Sequence, residues 1–382
     1  MLPGPQLGLG YAPAPSQEAG PPELWHLRED QRACEDVIIH FVPEYYPYFI
    51  GRERARGARR IFGHAVWESD HLPAHWPNLI NRLDGVIVPT EWNREIFRKS
   101  GVNVPILVTP HLPQFSDAPA ADADRASLLV RLPDLGGRRV FYTISTWLER
   151  KGIAPLIAAF AAAFRADDPV ALIVKTTPHD LERKERDGFL PARPQFEAML
   201  AHAAAENGRA PPLIHLLTDA LTSGELRALH EIGDCFVSLA RAEGWGLGAF
   251  EAAWLEKPVI ITGWGGPMAF LSVDTAYLVD WSPASVKPAV PNASYTPDQN
   301  WAEPNVASAI AALRAVAADP AEAARRGAAA GANLHQHFTP EKVIPELLAQ
   351  IAQVPLAPES QSVAGALAAL LRRGKPGLRR RQ

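Results

Sequence analysis

The chain has 382 residues, 47% of them hydrophobic and 21% charged, which is the composition of an ordinary globular protein. This length allows two domains, each able to bury its own core. The formal net charge of -4 excludes a chain-wide positive field of the kind that attracts nucleic acid or anionic lipid.

The first block of structure is predicted to follow a tail. Residues 1–22 hold six prolines and four glycines and are predicted to be disordered, because such a segment buries too little apolar surface to fold. From residue 23 onward, short apolar runs predict strands at 36–41, 60–67, 85–89 and 105–109. An alanine- and aspartate-rich stretch at 116–127 predicts a linker after them.

A second block of strands follows the linker, at 139–145, 171–176, 213–217, 235–239, 258–262 and 276–280. Helical patterns separate these strands, for example at 154–166 and 223–233, and the chain is predicted to be helical after Trp301. Continuous apolar strands that alternate with helices indicate parallel sheets covered on both faces. Two such blocks predict an α/β protein with two Rossmann-like, doubly wound domains that face a cleft.

The two cysteines, Cys34 and Cys235, adjoin apolar runs and predict neither a disulfide framework nor a metal cluster. No apolar run reaches about 18 residues, and the first residues lack the charged start and apolar core of a secretion signal. A cytoplasmic location is therefore expected.

The turn after strand 139–145 carries a pair of cations. Arg150 and Lys151 precede Gly152, near the start of the helix at 154–166. Cationic side chains beside free backbone N–H groups suit a diphosphate. The alternative is a basic turn that is only solvated.

The stretch from Glu243 to Glu251 places two carboxylates around a helix start. Glu243 follows strand 235–239, and glycines at every second position after it allow the backbone to approach a ligand closely. Glu251 is predicted to lie on the sheet side of the helix, where a ribose diol would be a fitting partner for its carboxylate. Alternatively, Glu251 points to solvent or caps a neighbouring turn.

The same stretch fits a loose dinucleotide fingerprint, Gly244-x-Gly246-x-x-Ala249. That fingerprint needs an acid at the end of the next strand to bind a ribose, and the next strand ends in IITGWGG. The missing acid argues against a nicotinamide or flavin site. The glycine-rich turn at 262–271 could still meet the same ligand as Glu243.

Together these residues resemble the donor domain of the family-four retaining glycosyltransferases, which have the GT-B fold of two facing Rossmann-like domains. Glu243 and Glu251 match the E-x7-E motif of that family, with ERKG (149–152) upstream and GWGG (263–266) downstream. The first block resembles bacterial members that act on surface glycans, in the segments GHAVWESDHLPAHW, LDGVIVPTEWNREIF and SGVNVPILVTPH. The resemblance covers roughly residues 35–350.

The resemblance implies a division of the chain into functional parts. These are an acceptor-side domain at 23–120, a nucleotide-sugar donor domain at 121–335, a carboxyl-terminal helix at 336–355 and a basic tail at 356–382. Family members usually begin with a strand and a glycine-rich loop that faces the donor, whereas the folded part here begins one or two strand–helix units later. The first domain is therefore expected to be incomplete, through a misassigned start, a trimmed domain or a partner that completes it.

The resemblance also implies roles in the donor site. Glu251 would hold the nucleotide ribose, and Glu243 would face the donor sugar or its phosphate. Lys151, with Arg150, would neutralise the diphosphate as the leaving group departs. Further donor contacts would come from the backbone of Gly246 and Leu247 and, around the base, from Lys175, Thr176 and residues 217–221. No metal is expected, and no cofactor beyond the nucleotide diphosphate sugar that is the donor substrate.

On the acceptor side, Glu68 and His64 flank the end of strand 60–67. Some family members place a polar residue near the reacting sugar at this strand end; Glu68 is the first candidate for that position and His64 the second. His40 and His111 lie at the ends of neighbouring apolar runs. A histidine at a strand end is often structural, so that alternative stays open for each.

The segment at 362–382 has a short apolar helical pattern followed by six cations, which would contact anionic lipid or remain a solvated tail. The predicted protein is a cytoplasmic retaining glycosyltransferase of the hexosyltransferase type, peripheral to the inner membrane if the tail binds lipid. It would move a sugar from a nucleotide diphosphate sugar to a glycan or lipid-linked acceptor in bacterial surface polysaccharide synthesis. The alternative is a non-catalytic nucleotide-sugar-binding subunit, or a truncated glycosyltransferase that needs a partner.

Overall fold

The computed structural model describes residues 34–114, 118–185, 188–287 and 294–356. The predicted disordered tail at 1–22 and the basic tail at 356–382, apart from Leu356, lie outside the described residues. Within the described ranges the chain forms two parallel β-sheets flanked by helices, and two small antiparallel sheets.

The first sheet contains four parallel strands in chain order: β1 (Asp36–His40), β2 (Arg60–His64), β3 (Gly85–Val88) and β4 (Ile106–Val108). The longer helices around it are α1 (Tyr46–Ala55), α2 (Trp76–Ile80) and α3 (Glu91–Lys99). Helix α3 begins after Thr90, whose hydroxyl accepts a hydrogen bond from the Asn93 amide at 3.0 Å. Because all four strands are parallel, their carboxyl ends lie on one edge of the sheet.

The second block contains the remaining strands: β5 (Arg139–Ile144), β6 (Val170–Lys175), β7 (His179–Glu185), β8 (Gly188–Pro191), β9 (Leu213–Leu217), β10 (Cys235–Ser238), β11 (Val259–Thr262), β12 (Tyr277–Val279), β13 (Trp281–Ser285) and β14 (Asn300–Pro304). Its helices are α4 (Asp122–Val130), α5 (Ile153–Ala163), α6 (Ala192–Asn207), α7 (Ser223–Ile232), α8 (Leu247–Trp254), α9 (Val306–Ala318), α10 (Pro320–His337) and α11 (Pro340–Gln353). The large parallel sheet of this block is covered by apolar side chains on both faces, as expected for continuous apolar strands.

The second sheet has the strand order β12-β11-β10-β5-β6-β9, and all six strands are parallel. The chain winds outward from β5 to β6 and β9, returns to the other side of β5, and then winds outward from β10 to β11 and β12. Strands β5 and β10 are therefore neighbours where the winding direction reverses, which is where such sheets open a crevice for ligands. The predicted doubly wound architecture of this block is confirmed.

Two element predictions are corrected by the structure. The predicted linker at 116–127 is partly helical, because α4 begins at Asp122, puts two aspartates near its positive dipole end and buries Leu128 completely. The chain after Trp301 is not helical from its start, because β14 continues to Pro304 and pairs with β13. Strands β7, β8, β13 and β14 were not predicted, because they lack the continuous apolar run by which the strands of the two parallel sheets were recognisable.

Helix α11 crosses back to the first sheet. Arg60 Nη1 donates hydrogen bonds to the carbonyl oxygens of Ile351 at 3.0 Å and Val354 at 3.2 Å. The Gln350 side chain both accepts from and donates to the backbone of Val108, at 3.1 Å in each direction. The carboxyl-terminal helix therefore ties the last part of the chain to the amino-terminal sheet.

The two domains also touch directly at Gly244. Asn93 Nδ2 donates a hydrogen bond to the Gly244 carbonyl at 3.2 Å. A Cβ atom at Gly244 would lie 2.2 Å from Val66 Cγ1 and 2.8 Å from the Trp67 carbonyl oxygen. This glycine was predicted to allow the close approach of a ligand, and in the structure its missing side chain also leaves room for the other domain.

Candidate functional site

The candidate site lies at the switch point of the second sheet, between the turn after β5 and the loop after β10. A short 3-10 helix (Glu149–Lys151) forms the turn and ends at Gly152, which has φ +63°. A Cβ atom at Gly152 would lie 1.8 Å from the Leu239 carbonyl oxygen, so only glycine fits between the turn and the end of β10. This close packing brings Arg150 and Lys151 to the loop that carries Glu243.

The two predicted cations form a compact cluster with Glu243. Lys151 Nζ lies 2.6 Å from Glu243 Oε1, and Arg150 Nη1 lies 3.4 Å from Glu243 Oε2. Arg150 Nη1 also donates a hydrogen bond to the Ala242 carbonyl at 2.6 Å. Burial alone would raise the pKa of the Glu243 carboxyl, but Lys151 and Arg150 outweigh it and hold that pKa below its ordinary value.

Glu68 joins this cluster from the other domain. Its Oε1 lies 3.1 Å from Arg150 Nη2, and its Oε2 accepts a hydrogen bond from the Tyr295 hydroxyl at 2.8 Å. Burial opposes the charge of Arg150, yet Glu68, ahead of Tyr295 and Glu243, raises the Arg150 pKa above its ordinary value. Glu68, predicted on the acceptor side, thus belongs to the same ion-pair network as Arg150 and Lys151, predicted on the donor side.

Tyr295 belongs to an arm that was not predicted from the sequence. The arm consists of β13, β14 and the described part of their connection, and it reaches from the second domain to the loop after β2. The Tyr295 ring stacks on Trp67 with centroids 4.9 Å apart and an interplanar angle of 24°. Asp70 accepts hydrogen bonds from the Asn300 amide at 2.7 Å and from its side chain at 2.9 Å. These contacts hold the arm against the residues that flank Glu68.

Glu251 lies in α8, away from the Arg150 network and close to His230. Its side chain is 12% exposed, and its Oε2 lies 3.5 Å from His230 Nε2. The other ring nitrogen of His230 shares a hydrogen bond with the Tyr142 hydroxyl at 2.8 Å. His230 is completely buried in α7. Its role was not predicted, because in the sequence it looks like one polar residue of an amphipathic helix.

The remaining predicted donor contacts follow the carboxyl ends of β6 and β10. Lys175 is the last residue of β6 and Thr176 follows it, and Lys175 Nζ donates a hydrogen bond to the Thr176 carbonyl at 2.9 Å. Burial lowers the pKa of Lys175, while Asp219 opposes the change. Within the described part of the chain, the buried Thr176 hydroxyl has no hydrogen-bond partner. Gly246 and Leu247 form the start of α8, with the side chain of Leu247 exposed.

His64 stands in a group of aromatic side chains at the carboxyl edge of the first sheet. Its ring centroid lies 4.5 Å from that of His40 and 5.5 Å from that of His111, and His111 lies 5.5 Å from Trp245. Burial lowers the pKa of His64 to about 3 and that of His111 to about 4, and the neighbouring histidines add to both shifts. The imidazoles of His64 and His111 are therefore neutral near pH 7.

This arrangement predicts a loss of stability in mild acid. The unfolded chain protonates these histidines around pH 6.5, whereas the folded chain resists protonation until about pH 3 to 4. The free energy of unfolding should therefore be fully retained above pH 6.5 and decrease as the pH falls to 5. Urea unfolding at several pH values should show a shallower decrease for the double variant His64→Phe/His111→Phe. Equal pH slopes for both proteins would contradict the neutral assignment.

Over the part of the chain that the structure describes, no group of three His, Cys, Asp or Glu side chains is arranged to hold a metal ion. In the same residues, no helix is both long and apolar enough to cross a membrane. Asp122 and Asp124, the one D-x-D of the sequence, lie in the first turn of α4.

No protein-family model and no curated protein sequence matches the chain. Among solved structures, it is similar to a sucrose-phosphate synthase from Thermosynechococcus elongatus, with a TM-score of 0.61, 16% identity and coverage of 87% of this chain and 77% of that one. It is also similar to HepE from Anabaena in complex with UDP and glucose, with a TM-score of 0.58, 16% identity and coverage of 83% and 77%.

A third similar structure is S. aureus TarM, with a TM-score of 0.57 and 16% identity; the match covers 82% of this chain but 55% of TarM. The chain thus spans about half the length of TarM. At this level of identity the similarities establish the architecture. Together with the two parallel sheets, they show that the chain has the GT-B fold, as predicted.

Proposed function

We propose that the chain is a retaining glycosyltransferase that uses a nucleotide diphosphate sugar as donor and a glycan or lipid-linked acceptor. The observation that carries this proposal is the Arg150–Lys151–Glu243 cluster at the switch point of the second sheet. A buried arginine and a partly buried lysine at a crevice that suits ligands favour a diphosphate. Similar solved structures include HepE with UDP-glucose and the pneumococcal O-GlcNAc transferase GtfA with UDP and GlcNAc, which supports this donor class.

In this proposal the donor lies across the carboxyl ends of β5, β6 and β10. Arg150 and Lys151 bind the diphosphate, Glu243 contacts the sugar or its phosphate, and the start of α8 offers the Leu247 backbone to the same group. Glu251 accepts hydrogen bonds from the ribose diol. Lys175 and Thr176 line the base pocket, where the buried Thr176 hydroxyl has its donor and acceptor capacity available.

The proposed reaction exchanges one bond at the anomeric carbon. The bond from that carbon to the diphosphate oxygen breaks, and a bond to the acceptor oxygen forms on the same face of the sugar. The acceptor proton moves to the leaving phosphate, whose developing charge Lys151 and Arg150 stabilise. Glu68 and His64 remain the acceptor-side candidates, and the chemistry uses no metal. For a lipid-linked acceptor, the basic tail at 356–382 would supply contact with the inner membrane.

Replacing Glu251 by glutamine tests whether the Glu251 carboxylate binds the ribose of the donor. A nucleoside diphosphate that binds the folded chain raises its melting temperature, so a thermal-shift screen of UDP, GDP, ADP and CDP identifies the base. We expect the 2′,3′-dideoxy form of that nucleotide to bind the wild type roughly tenfold to a hundredfold more weakly, because charge-assisted hydrogen bonds to Glu251 are lost. Glu251→Gln should bind both forms with similar weak affinity, while Glu95→Gln, at an exposed carboxylate of α3, should behave as wild type.

Transfer assays decide between the enzyme and its alternative. Turnover of the bound nucleotide sugar with glycan or lipid-linked acceptors supports the transferase. Nucleotide binding without turnover would instead favour a non-catalytic binding subunit, or a chain whose four-stranded first sheet needs a partner. Failure to bind any nucleoside diphosphate would refute both.

A further inference from the structure

The cations assigned to the donor diphosphate are already neutralised within the protein. Lys151 is paired with Glu243, and Arg150 contacts both Glu243 and Glu68. The two cations and two carboxylates sum to zero charge, and each side chain is 20% exposed or less. Solvent therefore screens an added charge at this position only weakly.

A diphosphate brings at least two further negative charges into this neutral cluster. Carboxylate and phosphate oxygens compete for the same guanidinium face, since both are acceptors for a bidentate arginine. Binding is favourable only if one carboxylate gives up its cation, because the diphosphate would otherwise be a third anion on Arg150, repelled by Glu243 and Glu68 at low dielectric.

Glu68 is the carboxylate placed to leave. Glu243 belongs to the same domain as Arg150 and stays paired with Lys151 at 2.6 Å. Glu68 comes from the other domain, and its second oxygen has an independent partner in Tyr295 at 2.8 Å. Glu68 can therefore release Arg150 without breaking a second ion pair, whereas moving Glu243 out of the cluster would also break its pair with Lys151.

We infer that Glu68 occupies Arg150 in place of the donor phosphate, and that donor binding displaces Glu68 from Arg150. This inference rests on the proposed function, since it takes a phosphate-bearing donor as the ligand of Arg150. Tyr295 is a positioning residue in this scheme, because its hydroxyl and its stacking on Trp67 hold Glu68 toward Arg150. Because the Glu68–Arg150 ion pair spans the two domains, donor binding would loosen one of the contacts that joins them.

Calorimetry with inorganic diphosphate tests the displacement without knowledge of the base or the sugar. Glu68→Gln keeps the shape of the side chain but removes the competing charge, so it should bind diphosphate about tenfold more tightly than the wild type. Tyr295→Phe keeps the stack on Trp67 but frees Glu68 from one restraint, so it should bind more tightly by a smaller factor. Glu95→Gln makes the same charge change in the same domain, away from the cluster, and should match the wild type.

The outcomes separate this inference from the proposed function. If Lys151→Ala weakens diphosphate binding but Glu68→Gln binds as the wild type does, the displacement is wrong and the donor site stands. If Glu68→Gln binds more weakly, Glu68 assists the anion and the inference is overturned. If neither the wild type nor any variant binds diphosphate, the proposal that Arg150 and Lys151 bind the donor diphosphate is wrong as well. Melting temperatures check folding, and should Glu68→Gln not fold, unchanged or weaker binding by Tyr295→Phe refutes the displacement.

Discussion

Replacing Lys151 by alanine is expected to lower the rate of sugar transfer by about 10² to 10³-fold, the largest effect of any side-chain change in the site. Charge develops on the diphosphate as the bond to the sugar breaks, and a fixed cation stabilises that charge more than it stabilises the bound donor. Lys151 is fixed in this way, because its Nζ is held 2.6 Å from Glu243 and its side chain is 16% exposed. The loss should therefore fall mainly on kcat rather than on KM.

Lys257→Ala is the matched control for removal of a partly buried lysine. Lys257 Nζ donates a hydrogen bond to the Glu231 carbonyl at 3.0 Å, and burial lowers its pKa as it does for Lys151. This control should lose some stability and keep its kcat, measured with saturating donor and acceptor. Equal turnover by Lys151→Ala and the wild type would remove Lys151 from the mechanism, and an equal loss in both variants would point to misfolding.

The sequence was sufficient to predict the strands of the second sheet and the turns that carry its candidate site. Its strands are continuous apolar runs, and a parallel sheet brings the residues that follow such strands to one edge. The turns after β5 and β10 were therefore expected at one edge, whereas the contact of Arg150 and Lys151 with Glu243 depends on β5 and β10 being neighbours in the folded sheet. The first sheet was recognisable for the same reason, since β1 to β4 are also apolar and parallel.

Contacts between distant parts of the chain could not be predicted in the same way. The Glu68–Arg150 ion pair joins two domains, and Tyr295 reaches Glu68 from an arm whose strands carry no long apolar run. His230 is separated from Glu251 by strand β10 and is recognisable as its neighbour only after α7 and α8 have packed. The role of Gly244 likewise depends on Val66, which belongs to the other domain. Spacing in the sequence carries no information about such pairs.

Replacing Gly152 by alanine is expected to destabilise the second domain by about 2 to 5 kcal/mol. Part of this cost, about 1 to 2 kcal/mol, arises because a Cβ atom is unfavourable at a φ of +63°. The rest arises because that Cβ would lie 1.8 Å from the Leu239 carbonyl oxygen, so the turn and the end of β10 must separate. Urea unfolding, followed for each transition of this two-domain chain, measures the change.

Gly208→Ala separates the two contributions, because Gly208 has nearly the same φ, +62°, but nothing lies within 4 Å of its Cβ position. It should therefore cost only the conformational part, about 1 to 2 kcal/mol. The excess destabilisation of Gly152→Ala then measures how tightly the turn is held against β10. The same displacement moves Lys151 and Arg150 away from Glu243, so folded Gly152→Ala protein should also lose diphosphate binding while Gly208→Ala retains it. Equal destabilisation by the two variants would mean that the turn before Gly152 can move away from β10 at no cost, and that this packing does not hold Arg150 and Lys151 in place.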